Sequence, residues 1–383
     1  MYSTHPLVVG YEKENVMVRS VILLKVLVVC LMVSCSMSRT DIVEAPIFKE
    51  GLIKKEVNKF SDLFKHYRLI QLETNDSCLL GGGRGVKAVK FNSSYYILSH
   101  NAIYQFDKEG KFVKSLDKRG GGPEEYSSIF DFDVTSYNGE DELWISVPGL
   151  MRVYDVETFG LKRTIIGPQY VHQFKVINDS TIMAVTPEDT AFKILRGDGS
   201  VRKSFMKMNV SASAYKFQQF FSYNNLVVYQ LDDTDTGVIY NIDRDSLYFR
   251  NILYSDCDLL TLEDCENYFE QYGYMSFGVK IAEDFIRLSS ICTYGNNALF
   301  VKMFPDGKKE LLAKVDGKDF SMIYAGDDVK VHNDLFDSNS LLFLSTMTAC
   351  KSDDSFLFLI PVSMLNIEGI EDDDNYWLFE GVC

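Results

Sequence analysis

Cysteine 35 is the residue whose surroundings most clearly prescribe a reaction. It follows the apolar run Val26-Leu-Val-Val-Cys-Leu-Met-Val-Ser34, which closes on a small residue, and the polar stretch Ser36-Met-Ser-Arg-Thr-Asp41 comes after it. A bacterial lipoprotein signal ends this way: the chain is cut before the cysteine and the thiol takes the lipid. The uncharged stretch Val26–Ser38 has 13 residues. A spanning helix needs about 20 apolar residues, so a cleaved signal fits better than a permanent anchor. Arg19 and Lys25 supply the positive flank, and Met17 offers an alternative start. Residues 1–34 are therefore read as a signal peptide, 35–60 as a lipidated linker and 61–383 as the folded domain.

The remaining chemistry-bearing groups point to structure more than to reaction. The run Gly120-Gly121-Gly122 could cradle a phosphate on backbone N–H groups. No helix and no Lys-Ser/Thr pair follows, however, and Pro123 removes a donor. Glu124 and Glu125 could serve sugar chemistry, which needs two facing carboxylates, but neighbours on an extended segment point to opposite sides. The whole stretch Gly120 to Tyr126 is read as a structural connection. Asp232-Asp-Thr-Asp-Thr-Gly237 places threonine at two ligand positions of a calcium loop, so it reads as a solvated hairpin turn, as does the acidic run Glu371–Asp374. Five histidines are present, none in a His-Glu-x-x-His arrangement. His100 and His172 are the two that strands could bring toward a central channel. No Gly-x-Ser-x-Gly elbow and no Cys-x-x-Cys occurs, and among the six cysteines after Cys35 only Cys257 and Cys265 form a close pair, which could be bridged. The sequence assigns no catalytic residue, metal ligand or cofactor.

These groups hang on a repeated scaffold. Five segments share one plan, a strand, a tight polar turn and a second strand, and they centre on Asp107, Asp155, Asp198, Asp243 and Asp306. The markers stand 48, 43, 45 and 63 residues apart. A period of 40–50 residues with several strands per unit indicates a β-propeller. The long step holds Asp258–Tyr272, read as one or two helical turns with Thr261 as N-cap and Asp264 three residues on. A sixth unit is drawn from Leu341–Thr346, Phe356–Pro361 and Tyr376–Phe379, closed by an N-terminal strand around Tyr67–Leu72. The composition agrees: 22 Tyr and 27 Phe against 8 Pro favour strands. The net charge of −15 excludes a nucleic-acid surface, which requires a basic patch. It also leaves the lipid as the membrane tie.

Between the first two units, Asp117-Lys-Arg-Gly-Gly-Gly-Pro-Glu-Glu-Tyr126 is followed by the alternating Phe130-Asp-Phe-Asp133. This resembles the blade connection of an uncharacterised family of six-bladed β-propeller lipoproteins from Gram-negative gut anaerobes. The tail Glu371-Asp-Asp-Asp-Asn375 before Tyr376-Trp-Leu-Phe379 is similar to that family's closing strand, with Tyr376 where proline is usual. The resemblance implies an all-β ring of six four-stranded antiparallel blades; the long step of the repeat itself puts the helical insertion between blades four and five. It implies an envelope address. Ser36 after the cysteine does not indicate inner-membrane retention, and the lack of a dense acidic cluster there favours the periplasmic side of the outer membrane over the surface. The expected function is a ligand- or partner-binding module for a glycan or a protein. A propeller glycoside hydrolase or lyase, and a scaffold or sensory subunit of an envelope complex, stand as alternatives.

Overall fold

The computed structural model describes residues 46–49, 61, 64–81, 86–188, 190–207, 220–231, 233–273, 276–295, 297–314, 324–326, 330–332, 341–343, 348–350, 352, 354–362 and 375–382. Cys35, Met17 and the run Glu371–Asp374 lie outside the described residues.

The chain enters with β1 (Phe48–Lys49) and β2 (His66–Gln71) and then builds successive blades. Blade 1 is β3 (Lys87–Phe91), β4 (Ser94–Ser99), β5 (Ala102–Asp107) and β6 (Phe112–Leu116). Blade 2 is β7 (Asp131–Tyr137), β8 (Glu140–Val147), β9 (Leu150–Asp155) and β10 (Leu161–Ile166). Blade 3 is β11 (Gln173–Asn178), β12 (Thr181–Val185), β13 (Thr190–Leu195) and β14 (Val201–Lys207). Blade 4 is β15 (Phe220–Tyr223), β16 (Leu226–Gln230), β17 (Thr236–Asn241) and β18 (Ser246–Asn251). After β19 (Leu253–Tyr254) come helices α1 (Leu262–Tyr272) and α2 (Phe277–Asp284). Blade 5 is β20 (Arg287–Tyr294), β21 (Asn297–Met303), β22 (Lys309–Lys314) and β23 (Tyr324–Gly326), and a hairpin of β24 (Lys330–His332) and β25 (Leu341–Phe343) follows. Blade 6 takes β26 (Thr348–Cys350), β27 (Phe356–Ile360) and β28 (Trp377–Val382) from the C-terminus, and β2 joins β28 as its outermost strand.

Every blade is an antiparallel meander, and the first strand of each faces the axis. There β7 touches β3 and β11, β20 touches β15 and β26, and β26 touches β3, closing the ring. The closing register is His66 opposite Val382 through Gln71 opposite Trp377. The sixth blade differs from the sequence reading in its inner strand. Leu341–Phe343 pairs with Lys330–His332, and Thr348–Cys350 takes the innermost place. Phe356–Ile360 is buried on both faces and marks the blade interior in the sequence, whereas the three-residue inner strand carries too little pattern to distinguish it from its neighbour.

Apolar side chains alternate along the strands so that each blade packs on the next. One cluster joins blades 1 and 2 through Val89, Tyr96, Phe132, Leu143 and Tyr154, and another joins blades 6 and 1 through Ile97, Phe106, Leu357 and Leu378. Each such side chain contributes about 1.5–3 kcal/mol on burial. The marker aspartates anchor the turns: Asp107 Oδ1 accepts from the N–H groups of Glu109 and Lys111, and Asp198 and Asp306 each accept from the N–H two residues on. The glycine after the aspartate has a second task. Gly110, at φ +81°, leaves room for the preceding blade's outer strand, since a Cβ there would lie 2.3 Å from the Gln71 carbonyl oxygen. Gly199 repeats this against Ile166 at 2.5 Å.

Within the stretch read as linker, Phe48–Lys49 pairs in parallel with Leu253–Tyr254, and Phe48 is buried against Phe300. The helical segment is longer than one or two turns. α1 has 11 residues and begins with a reciprocal capping box between Thr261 and Asp264; α2 adds eight residues and buries Ile281.

Candidate functional site

Strand direction alternates within each blade. One face of the ring therefore carries the blade-to-blade connections and the turns between second and third strands. We call it the entry face, because the inner strands begin there. The opposite, exit face carries the other two turns of each blade.

The Gly-rich connection lies on the entry face between blades 1 and 2. Lys118 and Gly120 exchange backbone bonds with Tyr126: Gly120 N–H donates to Tyr126 O, and Tyr126 N–H donates to Lys118 O, each at 3.0 Å. Tyr126 is buried and donates its hydroxyl to Leu116 O at 3.2 Å. Glu125 folds back over the glycines. Its Oε2 accepts from Gly122 N–H at 2.8 Å, and a Cβ on Gly120 would fall 1.9 Å from that oxygen. The loop's own carboxylate thus occupies the space that an anion held by the glycines would need. Glu124 is exposed beside Lys118 at 3.6 Å. Pro123 and Glu125 turn their carbonyls inward, and Arg152 Nη2 donates to both at 2.9 Å.

The alternating Phe130-Asp131-Phe132-Asp133 forms the start of an inner strand. Asp131 and Asp133 are buried and act as clamps between blades. Asp131 accepts from Lys87 Nζ of blade 1 at 2.6 Å and from Phe174 N–H of blade 3 at 2.9 Å. Asp133 accepts from Val176 N–H and from Lys175 Nζ. Burial raises the pKa of Asp131 against the opposing pull of Lys87. Both inner-strand carboxylates are engaged in holding three blades together.

His172 precedes β11 on the entry face and is exposed. Its ring lies 5.4 Å from Phe130 and 6.5 Å from Tyr170, and Phe130 lies 6.2 Å from Tyr170. Partial desolvation lowers its pKa below the ordinary histidine value. His100 is not on an inner strand. It occupies the turn between β4 and β5, exposed, where Gly81 makes space for its ring. The structure does not bring the two histidines together.

Over blade 4, the run read as a solvated hairpin turn is buried: Asp233, Thr234, Asp235 and Thr236 are all under 9% exposed. The cause is the helical insertion, whose lead-in covers them. Asp235 N–H donates to Leu260 O, and Leu260 N–H in turn donates to Ile286 O. Burial raises the Asp235 pKa to about 6. Asp233 pairs with Arg287 at 3.3 Å.

The exit face at the closing seam carries a network that no local motif announced. Glu380 on β28 accepts from Arg68 of β2, from Tyr95 and Lys90 of blade 1 at 2.7 and 2.5 Å, and from Ser355. Burial pushes the Glu380 pKa up, but its bonds to Lys90, Tyr95 and Arg68 outweigh this and hold it below the ordinary value. In blade 2, Glu142 binds Arg163 through two parallel bonds of 2.6 and 2.7 Å. Beside the closing seam an open groove of about 610 Å³ runs along Arg68–Thr74 and the Lys108–Lys111 turn. Among the described residues no group of three His, Cys, Asp or Glu side chains could hold a metal ion, and no helix is long and apolar enough to cross a membrane. Cys257 carries a free, exposed thiol, so it is not bridged to Cys265.

Six four-stranded blades closed by an N-terminal strand define a six-bladed β-propeller. The chain belongs to the family described as domain of unknown function DUF4934, which it matches over residues 46–373. No curated protein matches it. Among solved structures it is similar to a Bacteroides fragilis protein whose name marks it as inferred to be exported. That likeness has 17% identity, 88% of this chain and 99% of that one covered, and a TM-score of 0.66; it shows a shared fold. The WD40 domain of Neurospora crassa Pan2 is 10% identical over 77% of this chain and 74% of its own, with a TM-score of 0.39. Kuenenia stuttgartiensis hydrazine synthase is 12% identical over 74% and 75%, with a TM-score of 0.41.

Proposed function

We propose that the chain is an envelope lipoprotein, tethered through lipid on Cys35, whose propeller binds a glycan or protein ligand on its entry face. The lipoprotein signal layout supports the address, and the name of the similar Bacteroides fragilis protein agrees with export. Ser36 after the cysteine speaks against inner-membrane retention, and the lack of a dense acidic cluster there favours the periplasmic side of the outer membrane.

The observation that carries the binding reading is the ring cluster Phe130, Tyr170 and His172 at the mouth of blades 2 and 3. Tyr170 is 38% exposed, although a large ring gains free energy by burial. Ring faces held together at a surface suit the apolar face of a sugar or a partner's side chain. The channel carboxylates Asp131 and Asp133, by contrast, have structural partners, and this supports binding over turnover.

The test uses the full-length chain in detergent against panels of glycans and peptides. Saturable binding should weaken at least tenfold when Phe130 and Tyr170 are both replaced by Ala, with the melting temperature unchanged. Binding that ignores both substitutions would refute the placement on this face. Product formation from any glycan, lost in Asp131→Asn, would replace the binding reading with a propeller glycosidase.

A further inference from the structure

We propose that the helical insertion between blades 4 and 5 docks a basic protein segment, with one arginine of the partner seated on the Tyr268–Tyr272 ring pair beside Asp264 and Asp284. The insertion is rooted at its base: Leu259 and Ile286 join the cluster between blades 4 and 5, and Leu262 packs on that of blades 3 and 4. Beyond the base the ring covers little of it. No residue of α1 is buried, and α2 buries Ile281 alone. Tyr268 and Tyr272 stand one turn apart on α1 with ring centres 5.4 Å apart, and Tyr268 meets Phe285 edge-on at 5.2 Å. Tyr272 remains 38% exposed. The Tyr268 hydroxyl donates to Asp284 Oδ2 at 3.0 Å. That bond holds the phenol's pKa above its ordinary value, and the charge of Asp264, one turn earlier on the helix, adds to the effect. Asp264 spends Oδ2 on the Thr261 cap and Asp284 spends Oδ2 on Tyr268; the second oxygen of each has no partner among the described residues.

Charge selects the occupant. Residues 256–284 hold eight acidic side chains and one basic, Lys280, in a chain of net charge −15. Lys280 is already paired with Glu283 at 2.5 Å. Neither helix has a basic residue in its last turn, where the helix dipole favours one, and α1 carries Glu270 there. The hairpin therefore bears a like-charge cost that a cationic partner relieves. A second copy of this chain would bring the same negative charge and is disfavoured by it. Arginine fits the rings best. Its planar guanidinium can lie on a tyrosine face while its N–H fork donates to a carboxylate, whereas lysine offers a point charge without the plane. Tyrosine and arginine are also the side chains that most often anchor protein interfaces. This inference stands apart from the Phe130–Tyr170–His172 cluster and does not depend on it.

The test is fluorescence anisotropy of the full-length chain in detergent with three labelled peptides that alternate leucine with arginine, lysine or glutamate. The arginine peptide should bind saturably, the lysine peptide several-fold more weakly and the glutamate peptide not at all. Tyr272→Ala and Asp284→Asn should each weaken the arginine peptide about fivefold or more, with the melting temperature unchanged. Glu263→Gln is the control: Glu263 is exposed on the opposite side of α1 from Tyr272, and its loss should leave affinity within about twofold. No binding of the arginine peptide, or equal affinity in wild type and Tyr272→Ala, would overturn the proposal. A loss in Glu263→Gln as large as in Asp284→Asn would overturn it as well, because net charge alone would then account for binding. Should Asp284→Asn fail to fold, the exposed Tyr272→Ala still decides.

Discussion

Replacing Asp235 with Asn should stabilise this protein at neutral pH and leave it unchanged in acid. Asp235 is 7% exposed beneath the segment that leads into α1. Its carboxylate accepts from the Thr236 hydroxyl at 2.9 Å, and the charge of Asp264 adds to the penalty of burial. Arg287, the cation beside this turn, is paired with Asp233. The folded-state pKa is raised from 3.8 to about 6. At 1.36 kcal/mol per unit, the ionised side chain costs the folded state roughly 3 kcal/mol. The sign follows from proton binding. Because the folded state holds the proton more tightly, the cost is fully present above about pH 6 and disappears as pH falls toward 4. Asn keeps the acceptor for Thr236 and removes the charge, but its amide needs a new partner, so the net gain should be about 1–3 kcal/mol. The assay is the urea midpoint of wild type and Asp235→Asn at pH 7.5, 6 and 4, with the difference between the two proteins plotted against pH. Other titrating groups cancel in that difference. A variant destabilised to the same extent at all three pH values would refute the reasoning, because it would mean that the carboxylate's bonds outweigh its burial.

Other perturbations follow from the seam and the turns. Glu380→Ala leaves Arg68, Lys90 and Tyr95 facing one another without their shared acceptor; a loss of about 3–5 kcal/mol is expected in urea unfolding, and a loss under 1 kcal/mol would show that strand pairing alone closes the ring. Because its carboxyl is held below the ordinary value, the stability that Glu380 contributes is present above about pH 4.5 and falls away as pH drops further. Gly110→Ala should cost more than about 1 kcal/mol in the same assay, because both its positive φ and the Gln71 carbonyl oppose a Cβ; Gly121→Ala, with open space around it, is the control. Cys35→Ser should move the chain from the membrane fraction to the soluble fraction or arrest it as precursor, and intact mass showing an unmodified N-terminus upstream of Cys35 in the wild type would contradict lipidation.

The ring was legible because its turns are local. An aspartate that accepts from N–H groups two to four residues on, followed by a glycine at positive φ, leaves the same trace in the sequence each time, so Asp107, Asp198 and Asp306 could be counted. Blade 2 solves the turn with Phe159 in the left-handed region and still kept the spacing. Contacts between blades were not legible. Glu380 and Arg68 are separated by 312 residues, and nothing near either announces the other. Nor did the sequence reveal the burial of Asp233–Thr236, because the cover comes from a segment some 25 residues later. For the candidate site, Phe130 and Asp131 were visible as an alternating pattern. Arg152 was not, since a single arginine in a strand carries no period.

The two faces of the ring divide the protein's polar chemistry in a way that bears on where a ligand goes. On the exit face, Lys90, Glu380, Arg68, Glu142 and Arg163 satisfy one another, and this fixes the closing strand and the outer strand of blade 2. A ligand approaching there would have to compete with bonds already made. The entry face is the opposite case. It holds rings exposed at the mouth of blades 2 and 3. The apolar face of a ligand would therefore gain at the rings without displacing bonds already made.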